Sequence, residues 1–248
     1  MSVHHGREAA AVPAGLYDHG HFYDRDPAIV SLESRNPARN DAAAARNRAW
    51  FAERSILAVN LVSAPGAGKT KLLERTIRDL GRELSIAILE ADQAGELDCD
   101  RLRAAGAATV QLNTGTHCHL EADMVARGLA DLQPAAGSVV LIENVGNLVC
   151  PARIDLGERA KAVILSVTEG DDKPVKYPEI FAAAAMMIVN KIDLLPHVDF
   201  SVDRAVAYAR AVNPDIQVLW LSARSGKGLG GWYTWLRREA GAAQGLVA

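Results

Sequence analysis

The stretch Ser63-Ala-Pro-Gly-Ala-Gly-Lys-Thr70 constrains this chain more than any other. It follows an apolar run, Ile56–Val62, and opens a segment of helical pattern, KLLERTIRDL. A strand, a glycine-rich turn and a helix in that order form a phosphate-binding loop, or P-loop. Gly66 and Gly68 let the backbone curl so that its N–H groups face phosphate oxygens. The helix start adds partial positive charge there. Within the set Gly66, Ala67, Gly68, Lys69, Thr70 and Lys71, Lys69 is placed to reach the β- and γ-phosphates. Thr70 offers its hydroxyl to Mg²⁺. Ser63 stands where the general pattern G-x-x-x-x-G-K-[ST] has its first glycine. The competing reading is a glycine-rich strand–helix turn with no ligand.

The rest of the chain suits a fold built around that loop. Strand-like runs at Ser85–Leu89, Ala108–Leu112, Val139–Ile142, Ala162–Val167, Met186–Val189 and Gln217–Leu221 follow the first. Between them lie helical patterns at Lys69–Leu80, Leu97–Ala105, Leu120–Leu132, Pro178–Ala185, Val202–Val212 and from about Gly231. Short continuous apolar strands alternating with helices predict an α/β fold of the P-loop NTPase kind. Its sheet is mainly parallel and has helices on both faces. An Ala-rich stretch from about Asn40 to Arg54 reads as a further helix with Asp41 as its N-cap. Residues 1–40 carry His4, His5, His19 and His21 without periodicity and read as a flexible extension. Residues 41–248 read as the nucleotide domain. Those histidines suit either metal binding or a solvated tail.

Charge and composition exclude several classes. The net charge of −3 provides no basic field for nucleic acid or an anionic membrane. No apolar run approaches the roughly 20 residues a bilayer span needs. The start MSVHHGREAA lacks a signal core. Three cysteines, Cys99, Cys118 and Cys150, argue against a disulfide framework and for a reducing, cytoplasmic setting.

Base choice is read from Asn190-Lys191-Ile-Asp193, at the end of an apolar strand. Asp193 can accept hydrogen bonds from guanine N1–H and the 2-amino group. Adenine would leave it unpaired, a penalty of a few kcal/mol. Asn190 is expected at the base edge and the Lys191 stem over its face. The N–H of Ala223, in Leu221-Ser222-Ala223-Arg224, is expected to meet guanine O6. A surface loop of common polar residues is the plain alternative. Glu143-Asn-Val-Gly146 has the layout of D-x-x-G, with Glu143 toward the Mg²⁺ shell and Gly146 toward the γ-phosphate. Asp92, in Leu89-Glu-Ala-Asp-Gln93, is expected to meet Mg²⁺ or the attacking water, or else to be an ordinary loop acid. Lys69, Asp92 and Glu143 are thus the candidate catalytic residues. All these loops follow strands, where parallel sheets bind ligands. No arginine finger is assignable in cis, so hydrolysis is expected to be slow.

A second constellation has softer donors. His117-Cys118-His119 precedes a helix, and Cys150 follows the Glu143–Gly146 loop. Thiolate and imidazole suit Ni²⁺, Zn²⁺ or copper ions better than Mg²⁺. Cys118 and His119 alone cannot fill a shell. Cys150 becomes the third ligand if the two loops meet, and a second copy of the chain could complete it. Free cysteines are also common core residues, which is the competing reading. Cys99, flanked by acids, reads as incidental.

Together SAPGAGKT, LEADQ, NTGTHCHLEADMV, IENVGNLVCPARIDLGE, SVTEGDDKPVKYP, VNKIDLLP and SARSGKGL resemble the hydrogenase nickel-incorporation GTPase family, hydrogenase maturation factor B. The similarity runs from about Ser55 to the C-terminus. It implies a GTPase that dimerises with GTP bound, and a nickel or zinc site of Cys118, His119 and Cys150 at the dimer interface. It also implies work with the zinc-containing maturation factor A on the [NiFe]-hydrogenase large subunit precursor. Some members carry an N-terminal cysteine-rich nickel site, which has no counterpart before Cys99. The urease-accessory GTPase shares the P-loop but has Cys-Pro-His. A metal-storage protein with a vestigial pocket would not need an intact Gly68-Lys69-Thr70.

Overall fold

Residues 37–92, 97–115 and 117–246 are described by a computed structural model. The histidines expected in an N-terminal extension, and Gln93, lie outside these residues.

Among the described residues, the strands are β1 (Leu57–Ser63), β2 (Ile86–Asp92), β3 (Ala108–Asn113), β4 (Val139–Gly146), β5 (Ala160–Ser166), β6 (Met186–Asn190) and β7 (Gln217–Trp220). They form one seven-stranded sheet in the order β3-β2-β4-β1-β5-β6-β7. Every pairing is parallel. The helices are α1 (Pro37–Glu53), α2 (Lys69–Leu80), α3 (Leu97–Ala105), α4 (Ala122–Leu132), α5 (Lys173–Lys176), α6 (Pro178–Ala182), α7 (Val202–Val212) and α8 (Leu229–Ala243). The parallel α/β fold expected from the sequence is the one observed. Its strands run one to four residues past some predicted ends, because the ends carry polar site residues that break the apolar pattern.

Strand periodicity distributes the core. Leu57, Val59 and Leu61 of β1 face a cluster with Leu72, Leu73, Ile77 and Trp232. Ala58 faces the opposite layer with Phe51, Leu120 and Val125, and Val62 packs with Val163, Phe181 and Met187. A central strand covered on both faces must be apolar at every position or pair its polar groups, which explains the unbroken run. Helix α2 buries Leu72, Leu73, Thr76, Ile77 and Leu80, one stripe of a 3.6-residue period. The Trp232 indole N–H donates to the Thr76 hydroxyl at 2.9 Å, tying α8 to α2 inside this layer.

Helix α1 corrects one expectation. It starts at Pro37, so Asp41 lies within the helix and is not its N-cap. Pro at a helix start is favourable because its missing N–H would have had no partner there. Among the described residues, no helix is long and apolar enough to cross a membrane.

Candidate functional site

Strand order places the site. With β4 inserted between β1 and β2, the loops after β1, β2 and β4 share one carboxyl edge, and the loops after β6 and β7 extend it. The P-loop turn uses Gly66 at φ 75° and Gly68 at φ 97°. Gly68 caps α2 with no side-chain hydrogen bond, so the first N–H groups of the helix stay available to an anion. A Cβ on Gly68 would also sit 2.7 Å from Asn190 Nδ2. Lys69 folds back to donate to the Ser63 hydroxyl at 2.9 Å. That explains a serine at this position: it receives the lysine and in turn donates to Ala64 O at 2.6 Å. Burial pulls the Lys69 ammonium below its usual range, opposed by Glu143, Glu169, Asp98 and Glu90. Lys71 points elsewhere, pairing with Glu74 at 2.9 Å.

Two acids reach the Thr70 hydroxyl. It donates to Glu143 Oε1 at 2.7 Å and lies 3.1 Å from Asp98 Oδ2. Glu90 and Glu143 sit opposite each other in register on β2 and β4. Both are nearly inaccessible, at 3% and 4% exposure. One oxygen of each, Glu90 Oε2 and Glu143 Oε2, is buried without a hydrogen-bond partner. Burial first, then Glu143, Asp92 and Asp98, push Glu90 up to about 8. Burial pushes Glu143 up to about 7, against the pull of Lys69. Orphaned carboxylate oxygens beside a P-loop threonine fit a hard divalent cation, which would satisfy both. Asp92 is half-buried at the end of β2, one strand repeat beyond Glu90. Sequence reading passed over Glu90 and Asp98. The signal for Glu90 was available, since an acid within an apolar strand is rarely buried without a task.

Gly146 pairs with Ser63, and a side chain there would lie 3.0 Å from Pro65. The β4 turn therefore packs directly on the P-loop. Glu169, ahead of α5, also has a buried oxygen without a hydrogen-bond partner, 3.9 Å from Lys173 Nζ, and burial raises its carboxyl.

The base-recognition segment is tied to the P-loop by its own hydrogen bonds. Asn190 is 1% exposed, and its amide links three loops. Its Nδ2 donates to Ala67 O at 2.9 Å, and its Oδ1 accepts from Lys191 N at 2.8 Å and Ala223 N at 3.2 Å. The Ala223 N–H expected at guanine O6 is therefore already engaged. Lys191, at φ 64°, donates from Nζ to Gly66 O at 2.7 Å, laying its stem beside the P-loop. Asp193 keeps a buried Oδ1 without a partner, as a carboxylate awaiting donors would. Ser222 is buried and accepts from Ser225 N at 3.0 Å, shaping the turn, while Arg224 is exposed.

The soft donors converge. One ligand atom from each of Cys118, His119 and Cys150 lies within 4.8 Å of the others. The two sulfurs are 2.7 Å apart and both thiols are free. His119 is 5% exposed, with Cys118 Sγ 3.6 Å from its Nδ1. Burial, then the neighbouring Cys150, push the Cys118 thiol up to about 11, so a bound soft cation would have to displace protons. Cys99 is buried in α3, away from this set.

Backbone and amide bonds join this cluster to the nucleotide edge. Thr114 N donates to Asp92 O at 3.1 Å, and His117 N to Thr114 O at 3.0 Å. Asn147, next to Gly146, donates to Cys118 O at 3.2 Å and accepts from Val149 N at 2.8 Å. Asn144 Oδ1 accepts from Leu120 N at 3.3 Å. Each loop bearing a soft donor is thus anchored to a strand end at the P-loop edge.

Residues 57–220 match the family model of the CobW/HypB/UreG nucleotide-binding domain. The chain is 56% identical over 213 residues to the hydrogenase maturation factor HypB of Azotobacter vinelandii, covering 86% of this chain and 70% of that protein. Among solved structures, HypB of Archaeoglobus fulgidus superposes with TM-score 0.77 at 38% identity, covering 82% of this chain and 99% of that one. HypB of Helicobacter pylori, solved in complex with nickel, does so with TM-score 0.76 at 34% identity, covering 82% and 95%.

Proposed function

Since the chain belongs to the CobW/HypB/UreG family of nucleotide-binding proteins, and within it resembles the hydrogenase maturation factors, we propose that it is a GTP-hydrolysing carrier that loads nickel during [NiFe]-hydrogenase maturation. The observation that carries this reading is the shared anchoring: Asp92 O holds the Cys118–His119 loop, and Asn147, beside Gly146, joins it to the Cys150 turn.

The P-loop N–H groups and Lys69 bind the triphosphate, and Asp193 selects guanine. Thr70, Asp98, Glu90 and Glu143 would hold Mg²⁺, with Asp92 at the edge of the shell. That ion neutralises charge on the phosphate oxygens when bound. Asn190 positions the base loop on Ala67 and so couples base recognition to the phosphate cradle. Asp92 or a neighbouring carboxylate orients the attacking water. Release of phosphate lets the Asp92 and Gly146 ends relax. The Cys118, His119 and Cys150 donors then separate and the nickel cargo leaves. By reciprocity, GTP and nickel strengthen each other's binding. The donor set also accepts Zn²⁺.

Three donors leave a tetrahedral or square shell incomplete. Pairing of two GTP-bound chains across the half-exposed Val149 and Cys150 turn would fill it, making the active form a homodimer. Maturation factor A and the hydrogenase large subunit precursor are the proposed donor and acceptor, in the cytoplasm.

The test is Ni²⁺ titration in GDP and in a non-hydrolysable GTP analogue, with oligomeric state monitored, beside GTP turnover of the wild type and Lys69→Ala. Tighter nickel binding and dimers with the analogue, and turnover abolished by the substitution, are expected. Equal turnover in both proteins, or nickel affinity indifferent to the nucleotide, would refute the proposal.

A further inference from the structure

Helix α1 lies outside the matched residues 57–220 and supplies no donor to either site. Its polar side chains nevertheless end on both segments that leave the metal donors. Asn40 Oδ1 accepts from Ala122 N at 2.9 Å, while its Nδ2 donates to Asp155 O at 2.8 Å. Asn47, on the same helix face two turns later, is 4% exposed and repeats the arrangement. Its Nδ2 donates to Ala122 O at 2.8 Å and to Leu156 O at 3.0 Å. Ala122 begins the helix just after Cys118–His119, and Asp155–Leu156 closes the turn that starts at Cys150.

Packing reinforces the two amides. Ala43 and Ala44 are fully buried and pack against Ala122. On the other side the helix lies against Gly157, where a Cβ would be 2.5 Å from Ala44 O and 2.7 Å from Asn47 Cβ. Arg48 adds a forked pair to Asp155, at 2.8 and 2.6 Å. The helix therefore fixes the distance between two loops that are not consecutive in the chain.

We propose that α1 is a brace for the soft-metal site, with Asn40 and Asn47 as positioning residues that hold the Cys118–His119 and Cys150 loops at ligand spacing. This rests on reading those three side chains as nickel ligands. Donors already held together lose less freedom when they close on an ion, so weakening the brace should lower metal affinity and spare the nucleotide.

The experiment uses the full chain and Ni²⁺ alone, followed by the thiolate-to-nickel charge-transfer band, with GDP affinity and thermal midpoint measured alongside. Asn40→Ala/Asn47→Ala is expected to lose about 10-fold in Ni²⁺ affinity, as outer-shell partners of metal ligands do. GDP affinity is expected to stay within about twofold. Asn40→Ala alone, at the start of the helix, should lose about threefold and keep a wild-type melt, which decides the matter if the double variant fails to fold. Arg237→Ala, which breaks an exposed pair between α8 and Glu83, should change nothing. Ni²⁺ affinity within about twofold of wild type in the Asn variants, when Cys150→Ala has lost binding, overturns the brace. So does a parallel loss of GDP affinity. If Cys150→Ala binds Ni²⁺ as the wild type does, the ligand assignment itself has failed and the brace falls with it.

Discussion

Glu90→Gln is a sharp test of the acidic cluster. In the folded chain Glu90 is pushed up to about 8 from an ordinary 4.5, chiefly by burial and then by Glu143 opposite it. A carboxyl with a raised folded-state value binds protons more tightly when folded than when unfolded. Its contribution to stability is full below the unfolded value and is lost as pH climbs toward the folded one. Between about pH 5.5 and about pH 8, linkage with these two values predicts a loss of about 3 kcal/mol from this residue. Coupling to Glu143, which titrates alongside it, lowers that to about 2 kcal/mol. In a chain of this length about 2 kcal/mol corresponds to a midpoint shift of about 4–8 °C. Glutamine keeps the shape and removes the titration. Thermal melts of nucleotide-free, EDTA-treated protein should therefore show Glu90→Gln gaining on the wild type as pH rises. The gain should vanish when saturating Mg²⁺ and nucleotide are added, because a cation removes the same repulsion. Other titrating groups are common to both proteins and largely cancel. A pH-independent difference between the two melts would show that Glu90 is not a strained buried carboxylate and would refute the reasoning.

The remaining expectations concern single groups. Asp193→Asn should erode preference for guanine and raise affinity for xanthosine nucleotides, because an amide donor replaces an acceptor; unchanged selectivity in competition binding would count against Asp193. Gly68→Ala should cost about 1–3 kcal/mol from its positive φ and its clash with Asn190, and should abolish nucleotide binding. Denaturant midpoints at wild-type values would show the turn to be relaxed. Cys118→Ala and Cys150→Ala should each remove stoichiometric Ni²⁺ binding by equilibrium dialysis while nucleotide binding persists; retention of one ion per chain by either variant would end that residue's role as a ligand.

What the sequence alone determined about this protein is what neighbours along the chain determine. Strand and helix periodicity placed all seven strands, and it bounded Lys69–Leu80, Leu97–Ala105 and Val202–Val212 at the observed residues. The glycine-rich turn before Lys69 and the Cys-His pair were legible because their chemistry needs specific residues at short spacing. Tertiary structure decided which strand lies beside which, and no local pattern encodes that. Inserting β4 between β1 and β2 set Glu143 against Glu90, so that an overlooked strand acid shares the buried carboxylate cluster beside the P-loop. The meeting of the β1, β6 and β7 loops gave the Asn190 amide to Ala67 and Ala223. Packing of α1 on Gly157 likewise linked Asn40 and Asn47 to residues far along the chain. A buried amide bonds whatever the fold brings within 3 Å, so its partner is a property of the assembled sheet and not of the sequence around it.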